Sequence, residues 1–245
     1  MRLDSMRRKD SQAETHSSLE LDSENTINPQ LTIPAPCYNA PMFDRAQGNQ
    51  TMTKLPSPTV PTLETKRLIL RELVETDAPG YQKHFANWEV VKTLTSAIPW
   101  PYPKDGALNY ITTFVIPHQG RDKWVWAITL KENPSELVGA IDLWTDGNPS
   151  NRGFWLARHL WGKGLMSEAV FAVTDLAFDN LGFKELLLDN ATGNPASGRL
   201  KEKFGAVKVR VVPSSYVSSE YKHSEQWILT KEAWRKHRSQ KPESL

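Results

Sequence analysis

The stretch from Gly153 to Ala169 constrains the fold more than any other part of the chain. Its apolar start at 153–157 predicts a short strand, Trp161-Gly-Lys-Gly164 predicts a turn, and a helix is expected over 165–181. Two glycines one residue apart let several backbone N–H groups point the same way, and the helix adds unpaired N–H groups and its positive dipole end. The pattern favours a diphosphate cradle, although Gly-x-Gly alone is a weak signal and also fits a tight turn without a ligand.

Charge and cysteine content exclude several classes of protein. The 245 residues carry a net charge of +2, which gives no reason to expect a nucleic-acid or membrane partner. No apolar run reaches the ~18 residues of a transmembrane helix, and the basic N-terminus lacks the apolar core of a secretory signal. The single cysteine, Cys37, cannot form an internal disulfide framework and fits a reducing compartment, so we expect a cytoplasmic location.

Residues 1–60 differ from the rest, because they are rich in Ser, Thr, Asn, Gln and Pro and show no apolar periodicity. Such a segment cannot bury enough surface to offset its ordering entropy, so we expect a disordered extension. A start at Met52 would leave a compact protein, which fits an upstream extension of the reading frame at residues 1–51. One folded domain is expected over 61–236, followed by a basic tail at 237–245.

Hydrophobic periodicity and turn residues predict the remaining elements. Strands are expected at 65–73, 123–130, 137–144, 185–192, 206–212 and 226–230, and helices at 76–89, 104–115, 194–204 and from 231 onward. Strand, central helix and strand form a βαβ crossover, which predicts a parallel pair. The expected fold is therefore α/β, a single mixed and mostly antiparallel sheet with helices on both faces. In the hairpin, the residues expected to share a face are Trp124, Trp126 and Ile128 on one strand and Val138, Ala140, Asp142 and Trp144 on the other.

Four segments in this order and spacing resemble the GNAT superfamily of acetyl-CoA-dependent N-acetyltransferases, and within it the RimJ/RimL-type ribosomal-protein N-terminal acetyltransferases. They are Leu63–Arg71 (LETKRLILR), Gly153–Leu156 (GFWL), Trp161–Ala169 (WGKGLMSEA) and Asn190–Gly205 (NATGNPASGRLKEKFG). The resemblance covers about residues 62–235. It implies a GNAT-type fold and acetyl-CoA as the acetyl donor.

The resemblance also implies where acetyl-CoA binds. Pyrophosphate would sit on the Gly-x-Gly turn, where Gly164 matches the family pattern while Trp161 and Met166 depart from it, and pantetheine would pair with the strand that precedes the turn. Because the family binds pyrophosphate mainly through backbone N–H groups, these departures need not abolish binding. The implied cofactor-binding residues are Phe154, Trp155, Leu156, Ala157, Trp161, Gly162, Lys163, Gly164, Leu165, Met166, Asn190 and Asn194.

Ser197 and Asp142 are the candidate catalytic residues. In related enzymes the equivalent of Asn194 holds the pantetheine arm and that of Ser197 lies near the thioester sulfur, although both residues also fit a plain helix cap. An acceptor amine must lose a proton to attack, and a backbone N–H of the 154–157 strand would stabilise the oxyanion. Many relatives have a Glu where this chain has Asn151, so the base stays open between Asp142, His159 and a water relay.

The acceptor is expected to be a protein or peptide N-terminus, acetylated by direct attack within a ternary complex. A small-molecule amine, or a non-catalytic acyl-CoA-binding module, are the alternatives. No metal is expected, and the protein is expected to be a monomer or homodimer. Aromatic residues from the helices and the hairpin would line the acceptor cleft, although tryptophans are more often core residues: Trp100, Trp126, Trp144 and Tyr216.

Overall fold

The computed structural model describes residues 60–147 and 149–240. The strands are β1 (Leu63–Glu64), β2 (Leu68–Glu72), β3 (Lys123–Leu130), β4 (Asn133–Trp144), β5 (Phe154–Leu156), β6 (Glu185–Ala191), β7 (Val207–Pro213) and β8 (His223–Thr230). The helices are α1 (Ala78–Phe85), α2 (Trp88–Val91), α3 (Gly106–Tyr110), α4 (Leu165–Asp179), α5 (Pro195–Lys203) and α6 (Lys231–Gln240). The predicted extension lies outside the described residues, apart from Val60.

The strands form two antiparallel sheets, one ordered β1-β2-β3-β4-β5 and the other β6-β8-β7. Strands β5 and β6, on either side of α4, do not pair, so the expected parallel ladder is absent between them. They meet at Asn151 instead, whose backbone N–H donates to the Leu187 carbonyl at 2.7 Å. Beyond this point β5 and β6 lie in separate sheets, so one edge of β5 has no strand partner among residues 60–147 and 149–240.

Helices cover both faces of the larger sheet, as the fold class predicted. On one face α4 packs against a core that includes Trp124, Trp126 and Ile128. On the other face α1 and α3 pack against Val125, Ala127, Ala140 and Trp155. The α/β fold class, mostly antiparallel with helices on both faces, is therefore confirmed, and its strands are divided between two sheets where one was expected.

A bulge in β4 changes one predicted face. Ile128 pairs with Gly139 while Thr129 pairs with Leu137, so Val138 is an extra residue in the ladder. As a result Val138 packs into the α4-side core while Ala140 lies on the opposite face. The expectation that Val138 shares a face with Ala140 and Asp142 was wrong, because a one-residue bulge reverses the alternation of a strand.

Several helix boundaries differ from expectation. The helix expected over 76–89 ends at Phe85, and Asn87 then caps the separate helix α2 by accepting from the Glu89 N–H at 3.0 Å. At the C-terminus α6 continues to Gln240, so residues 237–240 are helical rather than part of a tail. His237 packs there on the rings of Phe204 and Trp234.

Candidate active site

The turn before α4 has the conformation that a backbone anion cradle requires. Gly162 and Gly164 both have φ of +77°, a left-handed region that glycine enters without steric cost. A Cβ on Gly162 would meet nothing within 4 Å, so the backbone there borders open space. The first N–H groups of α4, from Leu165 onward, have no partner within the helix. These residues fit a diphosphate group.

An ion pair that the sequence analysis did not assign holds this turn in place. Glu168, on the first turn of α4, accepts from the Arg67 backbone N–H at 2.6 Å and from Arg67 Nε at 2.8 Å. It also accepts from the Thr65 hydroxyl at 2.5 Å, while Arg67 Nη1 donates to the Lys163 carbonyl at 3.0 Å. Burial would raise the pKa of Glu168, but these donors outweigh it and hold the pKa below its usual value. The start of β2 is thereby fixed to the cradle.

The free edge of β5 can bind an extended chain. The Gly153 carbonyl accepts from the Asp142 N–H, and the Ala157 N–H donates to the Val138 carbonyl at 2.8 Å. The backbone hydrogen-bonding groups of residues 153, 155 and 157 therefore point towards β4. By the alternation of antiparallel strands, Phe154 and Leu156 direct their backbone groups into the gap next to β5. The Leu156 carbonyl already accepts from the Trp161 indole at 2.7 Å. That indole therefore ties the cradle turn to the strand and leaves N–H donors at the edge.

Asn151 holds the two sheets together. Its Oδ1 accepts from the Leu187 N–H at 2.7 Å and its Nδ2 donates to the Trp144 carbonyl at 2.9 Å. The side chain is buried, and both of its polar ends are used by backbone groups. The residue that stands where many relatives have a Glu is therefore a structural link between the sheets in this chain.

Asn194 and Ser197 lie at the start of α5, as predicted. Asn194 Oδ1 accepts from the Ser197 N–H at 3.2 Å, so the capping interpretation is confirmed. Asn194 Nδ2 also donates to Thr93 Oγ1 at 3.2 Å, which connects α5 to the loop after α2. Nearby in β6, Asn190 Oδ1 is buried and has no hydrogen-bond partner in the described part of the chain, so it can accept from a bound group.

Asp142 lies at the opposite end of β4 from the bulge. Its Oδ1 accepts from the Gly153 N–H at 2.5 Å, and a Cβ on residue 153 would come within 3.0 Å of that oxygen, so glycine permits the approach. Burial raises the pKa of Asp142 to about 6, although the Gly153 N–H, Lys123 and Arg152 favour the ionised form. A carboxylate with this pKa can accept a proton near neutral pH.

Aromatic rings pack together on the α1 and α3 side of the larger sheet. The Tyr81 ring contacts Trp155 at a centroid distance of 4.8 Å and Tyr110 at 5.7 Å. Burial raises the pKa of Tyr81 well above its usual value, with the charges of neighbouring tyrosines and of Asp142 adding to the effect. Tyr81 therefore stays neutral. The sequence analysis did not single it out, because a tyrosine on an amphipathic helix resembles any core residue.

The predicted cleft aromatics do not all lie together. Trp144 neighbours Asp142 and carries the Lys123 ammonium 4.3 Å above its ring. Trp100 is 41% exposed and packs on Trp88 at 5.3 Å. Tyr216 is buried, and its backbone forms an isolated antiparallel β-bridge with Thr95.

Trp126 does not line a cleft, unlike the expectation for these aromatics. It is fully buried on the α4 face, and its indole donates to the Pro61 carbonyl at 2.8 Å, so it is a core residue with no surface for substrate. The other base candidate, His159, is exposed and packs on His84 with the ring centroids 5.6 Å apart.

Comparison with known proteins identifies the family. A model described as an acetyltransferase (GNAT) domain matches residues 67–207. The chain belongs to the GNAT family of acetyltransferases. The Bacillus subtilis (strain 168) protein YoaA, described as an uncharacterized N-acetyltransferase, is 30% identical over 155 residues, which are 62% of this chain and 86% of that protein. This GNAT protein is an N-acetyltransferase, and acetyl-CoA is its cosubstrate.

Solved GNAT structures share the fold. Mycobacterium smegmatis RimJ, in complex with CoA-disulfide, has a TM-score of 0.60 at 13% identity and covers 74% of this chain and 94% of its own. Vibrio cholerae spermidine N-acetyltransferase, in complex with CoA and spermine, has a TM-score of 0.57 at 16% identity and covers 69% and 98%. At these identities the likeness shows the fold alone.

The described residues contain neither a metal-binding group nor a membrane-spanning helix. Within 60–147 and 149–240, no three His, Cys, Asp or Glu residues are grouped so that they could hold a metal ion. No helix in the same ranges is long and apolar enough to cross a membrane.

Proposed function

We propose that this GNAT enzyme acetylates the α-amine of a protein or peptide N-terminus. Asp142 carries the proposal. A base with a pKa of about 6 is well matched to an α-amine, whose pKa is about 7.7–8.0, and poorly matched to a lysine-like amine of about 10.4. The charges that act on Asp142 are those of Lys123 and Arg152, which would repel a polycation.

Binding of acetyl-CoA is assigned to the cradle and the free edge of β5. We assign the pyrophosphate to the backbone N–H groups of 162–166, and the pantetheine arm to the edge groups of Phe154 and Leu156 and to Asn190 and Asn194. Bound there, acetyl-CoA supplies an activated acetyl thioester. These residues hold it by backbone donors, so the side-chain departures at Trp161 and Met166 are compatible with binding.

The chain's own groups then supply the proton transfers and the charge stabilisation. Asp142 accepts the proton of the attacking amine, directly or through one water. An N–H on the free edge of β5 donates to the developing oxyanion. Ser197 donates its hydroxyl hydrogen to the departing sulfur, with the N-terminal dipole of α5 favouring the negative charge there. Direct attack in a ternary complex requires no acyl-enzyme.

Release of free CoA thiol by the full-length chain tests the proposal. Acetyl-CoA is supplied with peptides that begin with small residues, with the same peptides blocked at the α-amine but containing lysine, and with spermidine. Turnover only on free N-termini is the expected result. Turnover on blocked lysine peptides or spermidine would overturn the acceptor assignment.

A small-molecule amine remains the second candidate, since the spermidine enzyme shares the fold. It would be favoured if the chain turned over a small amine and none of the peptides. Binding of CoA with no turnover on any acceptor would instead support an acyl-CoA-binding module. A cytoplasmic location, from the cysteine usage, remains a prediction.

A further inference from the structure

A buried lysine stands directly behind the proposed proton donor. Lys201 lies one turn after Ser197 on α5, and its Nζ donates to Ser197 Oγ at 2.7 Å. The two residues are 2% and 8% exposed. Lysine is rarely buried to this extent, because its ammonium loses hydration that only charged or hydrogen-bonding partners can replace. An apolar side chain at this helix position would pack at lower cost, so the lysine calls for a chemical explanation.

Charged groups from three other parts of the fold face Lys201. Asp189 approaches from β6, Glu225 from β8 and Arg152 from the segment before β5. Burial lowers the pKa of Lys201 to about 7, the carboxylates of Asp189 and Glu225 oppose this, and Arg152 adds to it. Arg152 also acts on Asp142, so its charge reaches both the proposed base and the lysine. Lys201 can therefore gain or lose a proton near neutral pH.

The direction of the hydrogen bond decides what Ser197 can do. The ammonium of Lys201 has three hydrogens and no acceptor, so Ser197 Oγ must accept from it. The hydroxyl hydrogen of Ser197 is then directed elsewhere. When Lys201 is neutral, its nitrogen can accept, and the Ser197 hydrogen can turn back towards it. The charge state of Lys201 thus selects the direction of the hydroxyl.

We propose that Lys201 is a positioning residue that acts through Ser197, directing the hydroxyl hydrogen to the departing sulfur and replenishing the proton that the serine gives up. The inference rests on the proposed function of Ser197. As the carbon–sulfur bond of the tetrahedral intermediate breaks, its electron pair stays on sulfur and the Ser197 proton moves to it. The serine oxygen takes a proton from Lys201, which becomes neutral and regains a proton from solvent during product release.

A double-mutant cycle tests the coupling. Lys201→Met keeps most of the length of the side chain and removes the donor. We expect it to lower the single-turnover rate of acetyl transfer at least ~10-fold, less than the ~10²–10⁴-fold of a direct acid–base group, because Lys201 acts through Ser197. Ser197→Ala should lower the rate by as much or more. In the Ser197→Ala background, Lys201→Met should cost little further, because the group through which it acts is gone. Lys203→Met, on an exposed position of the same helix, is the matched control.

The pH profile separates this role from a structural one. Since the ammonium form is the active one, the single-turnover rate of the wild type should fall as pH rises through about 7. Lys201→Met should lose this descending limb, whereas Lys203→Met should keep it. Equal and additive rate losses with an unchanged profile would mean that Lys201 only packs, and would overturn the proposal.

A binding measurement distinguishes failure of this inference from failure of the proposed function. The thiolate of bound CoA is titrated by its ultraviolet absorbance, and its pKa should lie below that of free CoA in the wild type and return towards it in Lys201→Met. A lysine-dependent shift without turnover would retain the Lys201–Ser197 assignment and overturn the proposed transfer. Turnover with no effect of Lys201→Met on rate, pH profile or thiol titration would keep the proposed transfer and overturn the Lys201–Ser197 assignment. Absence of CoA binding would overturn both.

Discussion

Asp142 shows how the surroundings of a single residue set its basicity. Aspartate in water is ionised near neutral pH and is a weak base. Here burial raises its pKa to about 6, while the Gly153 N–H and the nearby cations keep the shift within a useful range. The carboxylate is therefore ionised at neutral pH and still basic enough to accept a proton from an α-amine.

This balance gives the first prediction, at the residue scale. Acetyl transfer should increase as pH rises through about 6, because only the ionised form of Asp142 accepts a proton. In Asp142→Asn this ascending limb should disappear and kcat should fall ~10²–10⁴-fold, since the amide cannot act as a base. Steady-state rates between pH 5 and 9 measure both effects.

The control for Asp142 is Asp122→Asn, which removes an exposed carboxylate one strand away that pairs with His118. Its rate and profile should match the wild type. If Asp142→Asn retained the ascending limb, the proton would be accepted by another group, with His159 and a water relay as the remaining candidates.

At the scale of elements, the cradle depends on a contact between the first strands and α4. Glu168 is 3% exposed and receives three donors from Thr65 and Arg67. Arg67 in turn fixes the Lys163 carbonyl. The turn is thus held from outside, while its glycines supply only the backbone freedom to adopt the shape.

The second prediction follows from this contact. Arg67→Met should weaken CoA binding by ~5–20-fold, because the turn must then be ordered at the cost of binding energy, about 1–2 kcal/mol. Turnover at saturating acetyl-CoA should change little, since Arg67 has no part in the proposed proton transfers. Calorimetry of CoA binding, together with kcat and KM, separates the two quantities.

Lys66→Met is the matched control for Arg67, because Lys66 is the exposed neighbour in the same segment. It should leave CoA affinity unchanged. Equal affinities for wild type and Arg67→Met would show that the turn keeps its shape without the clamp.

At the scale of the whole molecule, polar contacts of Ser150 and Asn151 join the two sheets. Asn151 supplies the link with both ends of its amide, and the adjacent Ser150 hydroxyl donates to the Leu187 carbonyl at 3.3 Å. The gap beyond this point is where the free edge of β5 lies. Asn151 therefore joins the two sheets and sets the point at which β5 and β6 separate.

Asn151→Ala provides the third prediction. It leaves the Leu187 N–H and the Trp144 carbonyl without their partner, so the free energy of unfolding should fall by about 2–4 kcal/mol. Affinity for CoA should fall as well, because the spacing of β5 and β6 loses its fixed point. Denaturant unfolding and CoA calorimetry test the two effects.

Asn133→Ala, at an exposed position of β4, should change stability by less than ~0.5 kcal/mol. A loss for Asn151→Ala no larger than this would show that packing against α4 alone keeps the sheets together.

Local signals were sufficient where one short stretch decides the structure. The helix α4 and its glycine turn, the cap of α5 by Asn194 and most strand positions were predicted, because periodicity, capping and backbone freedom are encoded within a few neighbouring residues. The family likewise followed from short segments in a fixed order. These are properties that a sequence carries whatever the rest of the chain does.

Long-range contacts decided the rest. The bulge at Val138 and the separation of β5 from β6 depend on partners distant in sequence, so the alternation pattern of β4 alone could not reveal them. Trp126 belongs to the core, because the ladder with β4 places it on the α4 face. The environments of Asp142, Lys201 and Arg152 arise only when several strands and a helix come together. Burial and the charges of distant residues set pKa values, so the candidate chemistry of this site was determined by the tertiary structure.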